Sequence, residues 1–131
     1  MSFSANPHAE AFWQNVQEGR LTFSRCCADQ CGAPQFPPKP RCDVCGSEQT
    51  ETRTATGTGT IFSITVVHRP PSDALRKHAP YGIALVDLDE GFRMMAHADP
   101  DLAIGARVRA SFAPFGDRTV PRFVVDTPPH P

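Results

Sequence analysis

The sequence predicts a mainly β protein: a short N-terminal helix, a compact metal-binding segment, then a small closed or partly closed barrel of about five strands. Three observations carry this reading. All five cysteines fall between Cys26 and Cys45; helical periodicity is convincing only near the N-terminus; and from Ser47 onward short β-branched runs alternate with Gly and Pro. The expected division is residues 1–20 for the helix, 21–47 for the metal-binding segment and 48–131 for the barrel.

The helix comes first. Asn6 is placed to cap its N-terminus, Pro7 suits the first helical position, and Gly19 follows the last turn. Phe12, Trp13 and Val16 form an apolar stripe, which can dock on the body of the chain or on a partner.

The cysteines come next. Disulfides would spread cysteines to close long loops, and an odd count leaves one thiol over, so a tight cluster points to metal. Two short pairs, Cys26-Cys27-Ala28-Asp29-Gln30-Cys31-Gly32 and Cys42-Asp43-Val44-Cys45-Gly46, can close four thiolates around one ion. Four thiolates suit tetrahedral zinc and leave no open position for catalysis, so the site reads as structural. The first knuckle is stretched, and either Cys26 or Cys27 is surplus. Leu21, Phe23 and Arg25 alternate with Thr22, Ser24 and Cys26 as a strand that delivers Cys26 to the knuckle. The expected ligands are therefore Cys26, Cys31, Cys42 and Cys45, with Cys27 the alternative to Cys26.

The barrel strands follow. Thr58 to His68 is β-branched, Tyr81 to Leu88 is largely apolar, and Phe92 to Ala98 pairs with it across Asp89-Glu90-Gly91. Ala106 to Ala113 alternates strictly, and Arg122 to Asp126 makes a last short strand. Gly57 and Gly59 fit a bulge or a bend at a barrel corner. Phe62, Tyr81, Phe92, Phe112 and Phe123 occupy apolar strand positions and are expected in the core rather than on a base-stacking face.

Between two of these strands, His68 to Pro80 holds Arg69, Arg76 and Lys77 with His68, His78 and one acid, Asp73. Such a local basic spot suits a small phosphorylated ligand, or is simply a solvated loop. Catalysis finds little support: there is no nucleophile elbow, Gly-rich phosphate loop or paired-carboxylate signature. Asp87, Asp89 and Glu90 cluster where turn chemistry alone expects acids. His68 and His97 are available as acid–base groups, although a lone histidine is more often structural. No catalytic residue is assigned.

Composition bounds the partners. A chain of 131 residues can bury roughly two thirds of its unfolded surface, so it needs no staples to fold. With 13 Lys plus Arg against 14 Asp plus Glu, its formal charge is −1, which argues against binding that rests on neutralising many phosphates. No apolar run approaches the roughly 20 residues of a membrane span, and Met1 to Glu10 does not read as a secretion signal. The expectation is a soluble, cytoplasmic protein without a membrane or nucleic-acid partner.

These residues resemble a family of small proteins in which a rubredoxin-like zinc ribbon precedes a five-stranded OB-fold barrel, and which is associated with acyl-CoA and lipid metabolism. The resemblance covers nearly the whole chain. It is carried by Phe12-Trp13, Gly19-Arg20-Leu21, Arg25-Cys26, Cys31-Gly32, Phe36-Pro37-Pro38-Lys39 and Cys42-x-x-Cys45-Gly46-Ser47. Gly57-Thr58-Gly59-Thr60-Ile61, Val66-Val67-His68, Pro80-Tyr81 and Ile104-Gly105 extend it through the barrel. The stretched first knuckle departs from the family pattern.

The resemblance implies a non-catalytic accessory subunit of a thiolase-like enzyme, or of an acyltransferase, aldolase or hydratase. In such complexes the ribbon and barrel lie beside the partner's acyl-CoA channel, and the partner supplies the nucleophile. Structural Zn2+ and acyl-CoA are the implied cofactor and ligand, with Arg69, Arg76 and Lys77 as candidate CoA-phosphate contacts. The competing reading is a single-stranded nucleic-acid-binding OB-fold module. It demands a steep salt dependence that this charge balance does not predict. Hydrolysis of acyl-CoA by the isolated chain is a third and weaker reading.

Overall fold

In the computed structural model, which describes residues 7–70, 73–116 and 118–126, the chain divides into two compact units. One comprises residues 7–56 with Glu90–Phe92, and the other Gly57–Asp89 with residues 93–126. Asn6, the expected helix cap, lies outside the described residues.

The first unit opens with α1 (Pro7–Gln17). The helix stops where Gly19 takes φ +80, its amide donating to the Val16 carbonyl at 3.0 Å while the Arg20 amide reaches the Asn15 carbonyl at 2.8 Å. This paired closure satisfies two carbonyls that the helix end would leave open. Phe12 and Val16 are buried, and the Phe12 ring meets Phe36 edge-on at 5.4 Å. Two residues of the apolar stripe, Phe12 and Val16, thus pack within their own unit, and Trp13 is half-buried.

Three strands complete this unit: β1 (Thr22–Cys26), β2 (Pro34–Gln35) and β3 (Thr50–Thr54), in the antiparallel order β2-β1-β3. Pairing of Thr50–Thr54 with β1 puts residues 48–56, expected to open the barrel domain, in the ribbon unit. The expected alternation of β1 is absent, since Leu21, Thr22, Phe23, Ser24 and Cys26 are all buried. Both faces of this central strand are covered. On one, Phe23 stacks on Phe92 at 5.0 Å; the Ser24 hydroxyl accepts from the Lys39 amide at 2.9 Å, tying down the proline-rich segment.

The second unit is a closed barrel of β4 (Thr58–Val67), β5 (Tyr81–Leu88), β6 (Arg93–Ala98), β7 (Arg107–Phe115) and β8 (Arg118–Val125). The order is β4-β5-β6-β8-β7, with β7 pairing back to β4 and a single parallel pair, β6 with β8. This is the OB-fold topology. Ile61, Val86, Met94, Val108 and Phe123 fill the interior. The connection between β4 and β5 carries a 3-10 helix, Asp73–His78, where the sequence suggested only loop. The last strand starts earlier than expected and carries Pro121 within it.

The bulge falls between Ile61 and Ser63 rather than at Gly57 or Gly59. It turns Phe62 outward to 48% exposure, with the Arg93 guanidinium 3.5 Å from its ring centroid. Phe62 is therefore a correction to the expected core, because an extra residue reverses which face a side chain meets. Phe92 is buried as expected, but in the ribbon unit, where it stacks on Phe23 and Phe36. Tyr81 and Phe112 are only half-buried. Gly59 serves close approach: a Cβ there would lie 2.5 Å from the Asp87 carbonyl oxygen.

Candidate metal centre and barrel cavities

Cys26 arrives at the end of β1, with its amide bonded to the Ala33 carbonyl at 2.9 Å. Cys31 follows a turn closed by its own amide on the Ala28 carbonyl at 3.2 Å, and Cys42 and Cys45 flank a second turn closed by the Gly46 amide on the Cys42 carbonyl at 3.0 Å. Gly32 and Gly46 take φ +70 and +78, which residues bearing a Cβ rarely adopt. These local devices converge. The sulfur atoms of Cys26, Cys31, Cys42 and Cys45 all lie within 4.8 Å of one another.

Cys26 and Cys45 are 3.6 Å apart and Cys31 and Cys42 3.7 Å. A tetrahedral zinc with Zn–S bonds of about 2.3 Å has S–S edges of about 3.8 Å, so the donor set and its spacing fit zinc. Cys27 stands outside the cluster. It is exposed, and its thiol faces the Arg25 carbonyl at 3.6 Å.

The electrostatics of the cage call for a cation. Backbone N–H groups of Cys45 and then Val44 draw the Cys42 thiol down to about 7, the Val44 amide lying 3.3 Å from the sulfur. At Cys26 the Ala28 amide pulls downward, but burial and the thiols of Cys45, Cys31 and Cys42 together push it up to about 12. Four sulfurs this close cannot all ionise unless a positive charge sits among them.

Gln35, which spacing arguments do not single out, braces the second knuckle. Buried on β2, it donates from Nε2 to the Cys42 sulfur at 3.4 Å and accepts the Asp43 amide at 3.2 Å. A partner of this kind orients a ligand and tunes its basicity. Nothing in the cysteine pattern marks it, because it acts across a sheet pairing.

The three candidate phosphate contacts do not share one cavity. Arg69 and Arg76 line a cavity of about 620 Å³ with His68 and Pro70, and Arg76 is paired to Asp73 at 3.0 Å. Lys77 lines a separate cavity of about 320 Å³ with His78, Tyr81, His97, Phe115 and Arg122. The acids of the β5–β6 turn are structural pins. Asp87 binds Arg93 at 2.6 Å. Asp89 takes both guanidinium nitrogens of Arg107, at 2.9 and 2.8 Å, and the Thr58 hydroxyl at 2.6 Å. The Arg107 and Thr58 hydrogen bonds hold the Asp89 carboxyl down to about 2. Glu90 accepts the Thr56 amide at 2.7 Å.

A helix-led ribbon with four converging thiols and an OB-fold barrel together define a zinc-ribbon OB-fold protein. The family models "ChsH2, rubredoxin-like zinc ribbon domain" and "ChsH2, C-terminal OB-fold domain" match residues 13–51 and 52–113. The solved structure "Ltp2-ChsH2(DUF35) aldolase" is similar at a TM-score of 0.78 and 31% identity, covering 95% of this chain and 98% of that one. A "DUF35 domain-containing scaffold protein" of Methanocaldococcus jannaschii is 31% identical over 105 residues, 76% of this chain and 73% of its own length. A "Probable enoyl-CoA hydratase alpha subunit" of Thermomonospora curvata is 41% identical over 88 residues, 66% of this chain. The match spans only 26% of that longer relative. The chain belongs to the DUF35 family.

Proposed function

We propose that this chain is a non-catalytic accessory subunit that docks to an acyl-CoA enzyme of the hydratase, aldolase or thiolase-like class, and that it helps hold the acyl-CoA. The observation that carries this reading is the likeness, over 95% of this chain and 98% of the other, to the chain in the "Ltp2-ChsH2(DUF35) aldolase" structure. The relative called a hydratase alpha subunit supports the same direction.

In this reading Cys26, Cys31, Cys42 and Cys45 hold Zn2+, and the metal fastens the ribbon rather than acting on substrate, because four thiolates fill a tetrahedral shell. The reducing cytoplasm keeps those thiols available. Arg69, with Arg76 released from Asp73, receives CoA phosphates at the larger cavity, whereas Lys77, the third candidate, lines the other cavity and is left out of this contact.

The test is purification of the tagged chain from its native cell under gentle conditions, with mass spectrometry of what elutes with it. An acyl-CoA hydratase, aldolase or thiolase-like enzyme in constant ratio is expected, and its activity should fall when the chain is removed. Elution of the chain alone, with that activity intact elsewhere, sinks the proposal. For the CoA contact, Arg69→Gln should raise the KM of the assembled enzyme for its acyl-CoA several-fold and leave kcat unchanged. An unaltered KM removes Arg69 from the site.

A further inference from the structure

The smaller barrel cavity, of about 320 Å³, combines features that a merely packed ring cluster does not need. Its wall is aromatic. The Phe115 ring lies 4.6 Å from His78, 4.1 Å from His97 and 5.0 Å from Tyr81, the last edge-on. One of these rings is pinned by a hydrogen bond: His78 Nε2 accepts the Gly116 amide at 3.0 Å.

His97 Nδ1 is buried without a hydrogen-bond partner among the described residues and is closed to solvent, so the ring contributes to the wall by its face. Arg122 stands opposite His97 in the parallel β6–β8 pairing. Among the described residues neither Arg122 nor Lys77 is in an ion pair, and no carboxylate lines the cavity. The site thus offers flat aromatic walls and two cations that form no ion pair among the described residues. That combination matches a planar ring bearing an anion.

The cavity, at about 320 Å³, has room for one or two fused rings with a small charged group.

We propose that this cavity binds a one- or two-ring aromatic carboxylate, the ring against Phe115 and Tyr81 and the carboxylate between Arg122 and Lys77. This goes beyond the accessory-subunit reading and does not depend on it, since the isolated chain carries every group involved.

The test is an NMR titration of the full, zinc-loaded chain with 2-naphthoate, following the imidazole signals of His97 and His78 and the amides of β6 and β7. Two control probes separate the parts: acetate carries the charge without the ring, and 2-naphthalenemethanol carries the ring without the charge. Saturable shifts with naphthoate are expected, with each control binding at least roughly tenfold more weakly. Arg122→Gln should weaken naphthoate by about tenfold, as expected for loss of a charge-assisted hydrogen bond, and leave the alcohol unchanged. Lys77→Gln, an exposed change on the 3-10 helix, gives a second reading should Arg122→Gln disturb the fold. Absence of saturable shifts, equal binding of naphthoate and the alcohol, or naphthoate binding unmoved by both substitutions overturns the assignment.

Discussion

Two neighbouring thiols with opposite fates provide the sharpest test of the metal centre. The Cys26 sulfur is 3.6 Å from that of Cys45, and the residue is 2% exposed. Cys27, one residue on, is exposed with its thiol toward the Arg25 carbonyl. Replacing each by serine changes one atom and nearly preserves volume. Cys26→Ser, however, substitutes a hard oxygen for a soft ligand inside a cage whose S–S spacing already fits zinc.

The metal weighs heavily on this unit. Structural zinc contributes about 10–16 kcal/mol in zinc-finger peptides, whereas burial of any one of Phe12, Val16, Leu21 or Phe23 contributes about 1.5–3 kcal/mol. Loss of the ion outweighs any single core side chain. Cys26→Ser should therefore purify with substoichiometric zinc and a disordered ribbon unit. Trp13, the only tryptophan in the chain, sits on α1 against Phe12 and reports this through its fluorescence. Cys27→Ser should keep one zinc per chain and a native Trp13 spectrum. Metal analysis showing zinc retained in Cys26→Ser but lost from Cys27→Ser would refute the geometric argument outright.

Two further predictions concern the barrel. Phe123 is fully buried, so Phe123→Ala should cost about 3–5 kcal/mol in urea unfolding. Phe62→Ala, on an exposed ring beneath Arg93, should cost about 0.5–1 kcal/mol, and comparable losses at the two sites would show that Phe62 is not outward. Burial, then the charges of His78 and Arg122, lower the pKa of His97. The unfolded chain, with a histidine pKa of about 6.5, then takes up that proton first. This contribution is fully present above that pH and declines as pH falls through it toward the lower folded value. Urea midpoints followed by NMR of β5 and β6 amides at several pH values should show the decline, and His97→Gln should flatten it. Identical pH slopes in both proteins would remove His97 as its source.

Much of the ribbon is legible in local spacing. The Cys42-x-x-Cys45-Gly46 run, the glycines after each second cysteine and the strand leading into Cys26 encode turns that neighbouring residues build on their own. The choice between Cys26 and Cys27 was less visible, because it depends on the direction from which β1 enters the knuckle. Gln35 was invisible, since its contact with Cys42 is made by folding a two-residue strand beside β1. In the barrel, strand identities followed from β-branched runs. The outward turn of Phe62 did not, because a bulge is a property of a pair of strands rather than of either one.

The chain by itself thus determined the element types, the metal-binding segment and the near-neutral charge that disfavours polyanions. These rest on residue type and on interactions within a few positions of sequence. Only the tertiary structure decided that Thr50–Thr54 belongs with the ribbon, that Phe92 is buried there, and that Arg69 and Lys77 line different cavities. It also decided that His97 faces Arg122 across a parallel pair. Each of these depends on which distant segments become neighbours, and that is set by pairing register and burial summed over the whole fold, which no local pattern contains.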